Sequence, residues 1–297
     1  MPLCARDDGL SEVVGFVLIL ALIVVALSLY QIYGVPAAGR ENEIAHMNQV
    51  KDRFIDYKIV LDSLWLNNRN GVLLSTAFDL GTGAGATGGS AFALPILTPA
   101  GSGGTVSAKS GGANLTIAPE GKDPVTIPLG SLSYTSSNRY WVDQTWTYQM
   151  GAVFLSQDGG TTVRVGPSIA AAKTADENIT LTVAPISLEG SAGIAGSGPV
   201  RVETRMRWSD PSSLSGTYDR VNLTVDAGDP ATARAWKRAF DEVRQRAIEE
   251  SVEPSWLSTG QSGNTATLTV QPEKKVFLTV YPANYTVSIY NAASLME

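Results

Sequence analysis

Two residue types that build most catalytic and metal sites are nearly missing. The chain has one cysteine, Cys4, and one histidine, His46, in 297 residues. A lone thiol closes no disulfide framework and completes no cysteine-based metal site, and it leaves the redox compartment open. A lone imidazole removes the Ser-His-Asp, Cys-His and multi-histidine zinc constellations together. Charge is also sparse, at 17% of residues with a formal net charge of −6 and a pI near 5.0. No run of lysine or arginine stands out, so a nucleic-acid partner, which needs cations to neutralise phosphates, is not expected. The acid pairs Asp176/Glu177 and Asp241/Glu242 show no EF-hand or glycosidase spacing. No catalytic residue, metal ligand or cofactor is assigned. What is present is a 44% hydrophobic chain long enough to bury a sizeable core.

The apolar residues are unevenly spread. No charge occurs between Glu12 and Arg40, and from Val13 to Tyr30 every residue but Ser28 is apolar or small. About 20 helical residues cross roughly 30 Å of hydrocarbon, so Val13 to Val35 suffices for one membrane crossing. A cleaved secretory signal is the alternative, with Ala37-Ala38-Gly39 imitating its cleavage site. Against it, Arg6 is followed by Asp7 and Asp8, and the apolar run is longer than such signals need. Retention of the helix is favoured.

The stretch Asp7-Asp8-Gly9-Leu10-Ser11-Glu12-Val13-Val14-Gly15 resembles the processing site of archaeal type IV pilins and pilin-like proteins, which carry a class III signal peptide. The resemblance implies cleavage by a prepilin-peptidase-type enzyme after Gly9, a mature chain starting at Leu10, and a retained helix that assembles with other subunits. Ser11-Glu12-Val13-Val14-Gly15 would stand for the family's Ser-Glu-Val-Ile-Gly pattern. The fifth mature position is Val14 where bacterial pilins have glutamate, so their charge-pairing rule does not transfer. Glu12 instead falls at the helix start, where the helix dipole favours a carboxylate. Asn138 to Val153 and Pro167-Ser168-Ile169 are similar to segments of uncharacterised pilin-like surface proteins from halophilic and methanogenic archaea, a likeness that implies location and no reaction.

Beyond the apolar helix, Gly34-Val35-Pro36 is expected to kink or break it, since Pro36 lacks an amide proton and crowds the preceding turn. Met47, Val50, Phe54, Tyr57, Leu61 and Leu64 then alternate spacings of three and four, one stripe along an amphipathic helix from about Glu41 to Trp65. Ile55, Ile59 and Trp65 widen the stripe, and its C-terminal half is expected to pack on an outer domain. His46 is read as a partly exposed helix residue. After Gly71 the vocabulary turns to β-branched and aromatic runs broken by Gly, Ser, Asn and Pro, with strands expected at Val72–Leu80, Thr105–Ser107, Asn114–Ala118, Val125–Pro128, Ala152–Ser156, Thr162–Val165, Ile179–Pro185, Val200–Trp208, Arg220–Val225, Ala266–Gln271, Val276–Tyr281 and Tyr285–Tyr290. Long loops are expected in Gly81–Gly112 around a buried piece at Ala93–Leu97. Asp229 as N-cap and Pro230 behind it open a second amphipathic helix, with Trp236, Phe240, Val243 and Ala247 on its buried face and charges on a solvated one. The expected fold class is α+β: a long N-terminal helix kinked near Pro36, then a β-rich, sandwich-like domain with one surface helix. Its parts are a leader at 1–9, an apolar helix at 10–35, a stalk at 36–70 and an extracellular domain at 71–297 with a helix at 230–249.

Four Asn-x-Thr sequons, at Asn114, Asn178, Asn222 and Asn284, make this domain a candidate glycoprotein. The bland reading is Asn and Thr chosen for strand geometry. Tyr140, Trp141, Trp146 and Tyr148 suit either a core or a platform for sugar rings or another subunit, and a core is favoured. The leading function is therefore structural: a subunit or minor pilin of a surface filament, adhesive through its outer domain. Its partners would be copies of itself or related subunits, the membrane and surface glycans. Leu20 and Ile23 mark the middle of the assembly helix. The alternative is a binding or envelope protein anchored in the cell membrane that does not polymerise, and an anchored enzyme has little residue support.

Overall fold

An apolar run with no helix breaker and a striped run behind it form one rod. The computed structural model describes residues 8–83, 97–207 and 213–291, with backbone alone for 8–11. Helix α1 (Asp8–Leu29) passes through a π-turn at Tyr30–Gly34 into α2 (Val35–Leu66). The irregularity expected around Pro36 thus takes the form of an extra residue in the turn ahead of it. The Val35 amide reaches back five residues to the Tyr30 carbonyl, and the wider turn accommodates the proline ring near the start of α2 without ending the helix. From Glu12 to Leu66 the rod is continuous, roughly 80 Å at ~1.5 Å per residue.

All six stripe residues from Met47 to Leu64 are buried. Ile59 is not part of that face: it is 59% exposed, because it lies two positions from both Tyr57 and Leu61 and so points away from the stripe.

The strands form three sheets. The first is β1 (Leu73–Asp79), β11 (Pro199–Arg207), β17 (Ala283–Asn291) and β9 (Ile186–Glu189), in that order. The largest runs β14 (Leu257–Ser262), β15 (Thr265–Val270), β13 (Val221–Asp226), β2 (Gly103–Pro119), β3 (Val125–Ser137), β4 (Thr145–Gln149), β5 (Ala152–Gln157), β6 (Gly160–Val165), with β10 (Gly193–Gly196) also on β2. The third is β12 (Gly216–Tyr218), β16 (Val276–Val280), β8 (Ile179–Val183) and β7 (Ile169–Lys173). Helix α3 (Pro230–Glu249) starts as expected: Asp229 accepts from the amides of Ala231 and Thr232 at 2.9 Å each.

The large sheet separates two cores. In β3, Leu132 and Tyr134 belong to the core that receives α2, whereas Leu129 belongs to the core built on α3. Even and odd positions of a strand face opposite ways, so the two cores lie on opposite faces. Strand β5 is sandwiched: Val153 and Leu155 face the stalk core, Ala152 and Phe154 the α3 core. That is why four consecutive residues there are buried.

The glycine-rich stretch expected to loop as far as Gly112 is already strand from Gly103. Its glycines mark close approach: a Cβ at Gly104 would fall 2.6 Å from the Leu80 carbonyl oxygen and 2.5 Å from the Tyr134 hydroxyl. The piece expected at Ala93–Leu97 lies, except for Leu97, outside the described residues.

Candidate functional site

Among the described residues, the apolar half of the rod joins neither buried core. From Glu12 to Tyr33 no residue is buried, with Leu20 at 49% and Ile23 at 48% exposure. Gly9 and Leu10 lie in the backbone of α1, and Glu12 is exposed in its early turns. A surface this apolar on every side suits lipid or other apolar helices better than water. By length and composition it is one helix able to cross a membrane, near the N-terminus.

Where the rod meets the domain, polar contacts fix it. Glu43 is 1% exposed, and its carboxylate accepts the Arg139 amide at 2.7 Å and the Tyr140 amide at 2.9 Å. One helix side chain thereby caps the loop between β3 and β4. Gly39 admits the Tyr140 ring: a Cβ there would lie 2.3 Å from it. Arg40 stacks 4.4 Å from the centre of Trp141. His46 is 5% exposed, so the expected partly exposed position is corrected to a buried one; it packs edge-on to Tyr134 while Nε2 donates to the Asp79 carbonyl at 2.9 Å. The chain end of β1 folds over that helix turn and removes it from water. Deeper in, the Tyr285 hydroxyl donates to the Leu61 carbonyl at 2.8 Å, the Tyr57 and Thr204 hydroxyls pair at 2.8 Å, and Tyr57 meets Tyr148 edge to face at 5.2 Å. Burial pushes the phenols of Tyr57, Tyr134, Tyr148 and Tyr285 above the ordinary value of 10.0.

Beside this junction runs a groove of two lobes, about 340 and 320 Å³. One lobe lies between α2 and the β3–β4 loop, with Trp141, Trp146, Gln144 and Lys51 on its walls. The other lies between the β5–β6 hairpin and the start of α3, with Gln157, Thr161, Arg234 and Arg238. Leu155 and Arg164 line both. The lobes are also tied by side chains: Gln144 donates to Gln157 at 2.9 Å and accepts from the Trp146 indole at 3.3 Å. Among the described residues no carboxylate makes ion-pair contact with Arg164, Arg234 or Arg238. Slight burial pushes the Asp229 carboxyl up, but the Thr232 amide and hydroxyl, the Ala231 amide and, last, the Arg234 guanidinium together hold it below its usual range. Of the four aromatic residues singled out in sequence, Trp146 and Tyr148 are core residues and Tyr140 and Trp141 are half-buried at the junction. The arginines escaped sequence reading because Arg234 and Arg238 look like one turn of a solvated helix face, and nothing in the chain order brings Arg164 to them.

The sequon asparagines differ in setting. Asn114 is exposed in β2 opposite Asp226. Asn178, half-buried before β8, accepts the Lys275 amide at 3.2 Å. Asn222 is half-buried within β13, its Oδ1 without a hydrogen-bond partner among the described residues, and Asn284 is half-buried in β17. The sequon threonines Thr116 and Thr224 sit side by side across β2 and β13, flanked by Thr126 and Thr267. Among the described residues no group of three or more His, Cys, Asp or Glu side chains converges.

Comparison with curated proteins and with solved structures yields no match. Residues 101–284, from the start of the large sheet into β17, match a family of unknown function (DUF7289). The match covers most of the β-rich domain and more than half of the chain, which belongs to that family.

Proposed function

We propose that this chain is a structural subunit, or minor subunit, of a pilin-like surface filament. Its apolar helices bundle in the filament core and its β-rich domain stands outside, where it adheres. The observation that carries the reading is the single rod from Glu12 to Leu66, outward-facing and apolar in one half and locked into the domain in the other. A signal helix destined for removal has no need of a stalk continuous with it. The resemblance of residues 7–15 to a prepilin processing site supports the same reading, with the cut between Gly9 and Leu10. In the bilayer before assembly the helix gains little from self-association except where small residues allow close approach, and Gly15, Ala21 and Ala26 offer such points. Of the sequons, Asn114 is the best placed to carry a glycan outward.

Shearing native cells and probing the filament fraction with an antibody to the outer domain tests this. The expected result is the protein in filaments with Leu10 as its first residue. Recovery only as detergent-solubilised monomers would replace the filament by a membrane-anchored binding protein. A first residue near Ala38 or Gly39 would mean a removed signal.

A further inference from the structure

We propose that the two-lobed groove between α2, the β5–β6 hairpin and α3 binds an acidic oligosaccharide, with carboxylate or sulfate groups on Arg164, Arg234 and Arg238 and a sugar ring against the tryptophan lobe. The first support is electrostatic. In a chain of net charge −6, three exposed guanidiniums line one groove without a contacting carboxylate among the described residues. A cleft lined by one sign of charge focuses the field and draws the opposite charge. Guanidinium forks match planar carboxylates and sulfates through paired hydrogen bonds. The second support is the neighbouring lobe, which offers indole surface at the half-buried Trp141 for the apolar C–H face of a sugar. Gln144, Gln157, Thr161 and Thr162 supply both donors and acceptors, the mixture that hydroxyl groups require. Each lobe falls in the ~300–1,000 Å³ range of small-ligand sites, and their shared wall at Leu155 and Arg164 makes them consecutive subsites for a chain of linked units.

An acidic peptide fits less well. Strand β6 is the edge of the large sheet, but Arg238 donates to the Thr161 carbonyl at 3.3 Å, which takes up a group that an added strand would use. A single-stranded nucleic acid would want a longer cationic track than this groove has.

The assignment extends the adhesive part of the reading above, and the filament part is tested apart from it. The full-length chain in uncharged detergent should be titrated with hexagalacturonate, with the neutral maltohexaose, with short polyglutamate and with a thymidine octanucleotide. Hexagalacturonate is expected to bind, more weakly as salt rises. Each of Arg164→Gln, Arg234→Gln and Arg238→Gln should weaken it about tenfold, and Trp141→Ala should weaken it with the arginines intact. Unchanged thermal melting checks that the variants fold, and unchanged recovery of the arginine variants in sheared filaments keeps a failure of the groove distinct from a failure of the subunit reading. Equal binding of maltohexaose would overturn the acidic assignment. Binding of polyglutamate or the octanucleotide as tightly as hexagalacturonate, with Trp141→Ala without effect, would overturn the sugar. No binding of hexagalacturonate would overturn the proposal outright.

Discussion

The two halves of the long helix share one backbone and obey opposite rules. In α2, apolar residues recur at three and four and every position of the stripe is buried, while Asp52, Arg53 and Asp56 between them face water. In α1 the apolar residues have no period and none from Glu12 onward is buried. A helix that packs on one neighbour needs one apolar face, whereas a helix surrounded by lipid or by copies of itself needs apolarity all round. The π-turn at Tyr30–Gly34 lies near the change from one regime to the other. The lesson is that composition reports the surroundings a helix is meant for, and periodicity reports how many neighbours it has.

That contrast can be broken by exchanging the rules. Leu20→Arg or Ile23→Arg puts a charge in the middle of the apolar half, at a cost of about 2.5–3.5 kcal/mol for insertion. On the proposed function, membrane flotation and filament recovery should be lost, while the thermal melting of the β-rich domain stays the same. The converse is Phe54→Ala, which leaves a hole where Phe54 meets Phe78 edge to face at 5.5 Å. It should cost about 3–5 kcal/mol in denaturant unfolding of the domain and leave flotation intact.

Alkali sharpens the same point. The four raised phenols, Tyr57, Tyr134, Tyr148 and Tyr285, hold their protons more tightly folded than unfolded. Their contribution to stability is fully present below the unfolded value of 10.0 and is lost as pH rises beyond it. Phenolate absorbance from these four should therefore appear together with unfolding of the stalk core, above pH 10.0. The smallest effect is expected from Glu43→Ala, which leaves the part-buried amides of Arg139 and Tyr140 without their carboxylate for about 1–3 kcal/mol. Hydrogen exchange at Arg139 and Tyr140 should rise first, with the rest of the domain little changed.

Much of this architecture is readable from the chain because the signals are local. The stripe from Met47 to Leu64, the stop after Leu66 and the Asp229 cap of α3 are each set by residues within one or two turns. Several strands escaped for the opposite reason. Strands β4, β7, β9, β10, β12 and β14 are short, or, like Thr145–Gln149 and Ile169–Lys173, owe their extended form to the strands beside them. Thr105–Ser107 and Asn114–Ala118 read as separate pieces but belong to one strand, β2, because the bulge between Lys109 and Ala113 interrupts the pattern without ending the pairing with β3. The groove was the least legible feature. Arg164, Gln144 and Trp141 come from three different segments, and only the crossing of α2 and α3 over opposite faces of one sheet sets them side by side.

The position of β17 also sets the order in which the molecule can be made. This strand lies between β11 and β9, carries Tyr285, Val287 and Ile289 into the stalk core, and reaches Leu61 across 224 positions of sequence. During synthesis the helix emerges long before the strand that clamps it, by roughly ten to fifty seconds at ~5–20 residues per second. Throughout that interval the stripe has no finished sheet to rest on, and the rod is free to swivel. Only a chain completed as far as β17 can close the stalk core, so a product truncated before it keeps the apolar stripe of α2 without the strand that clamps Leu61.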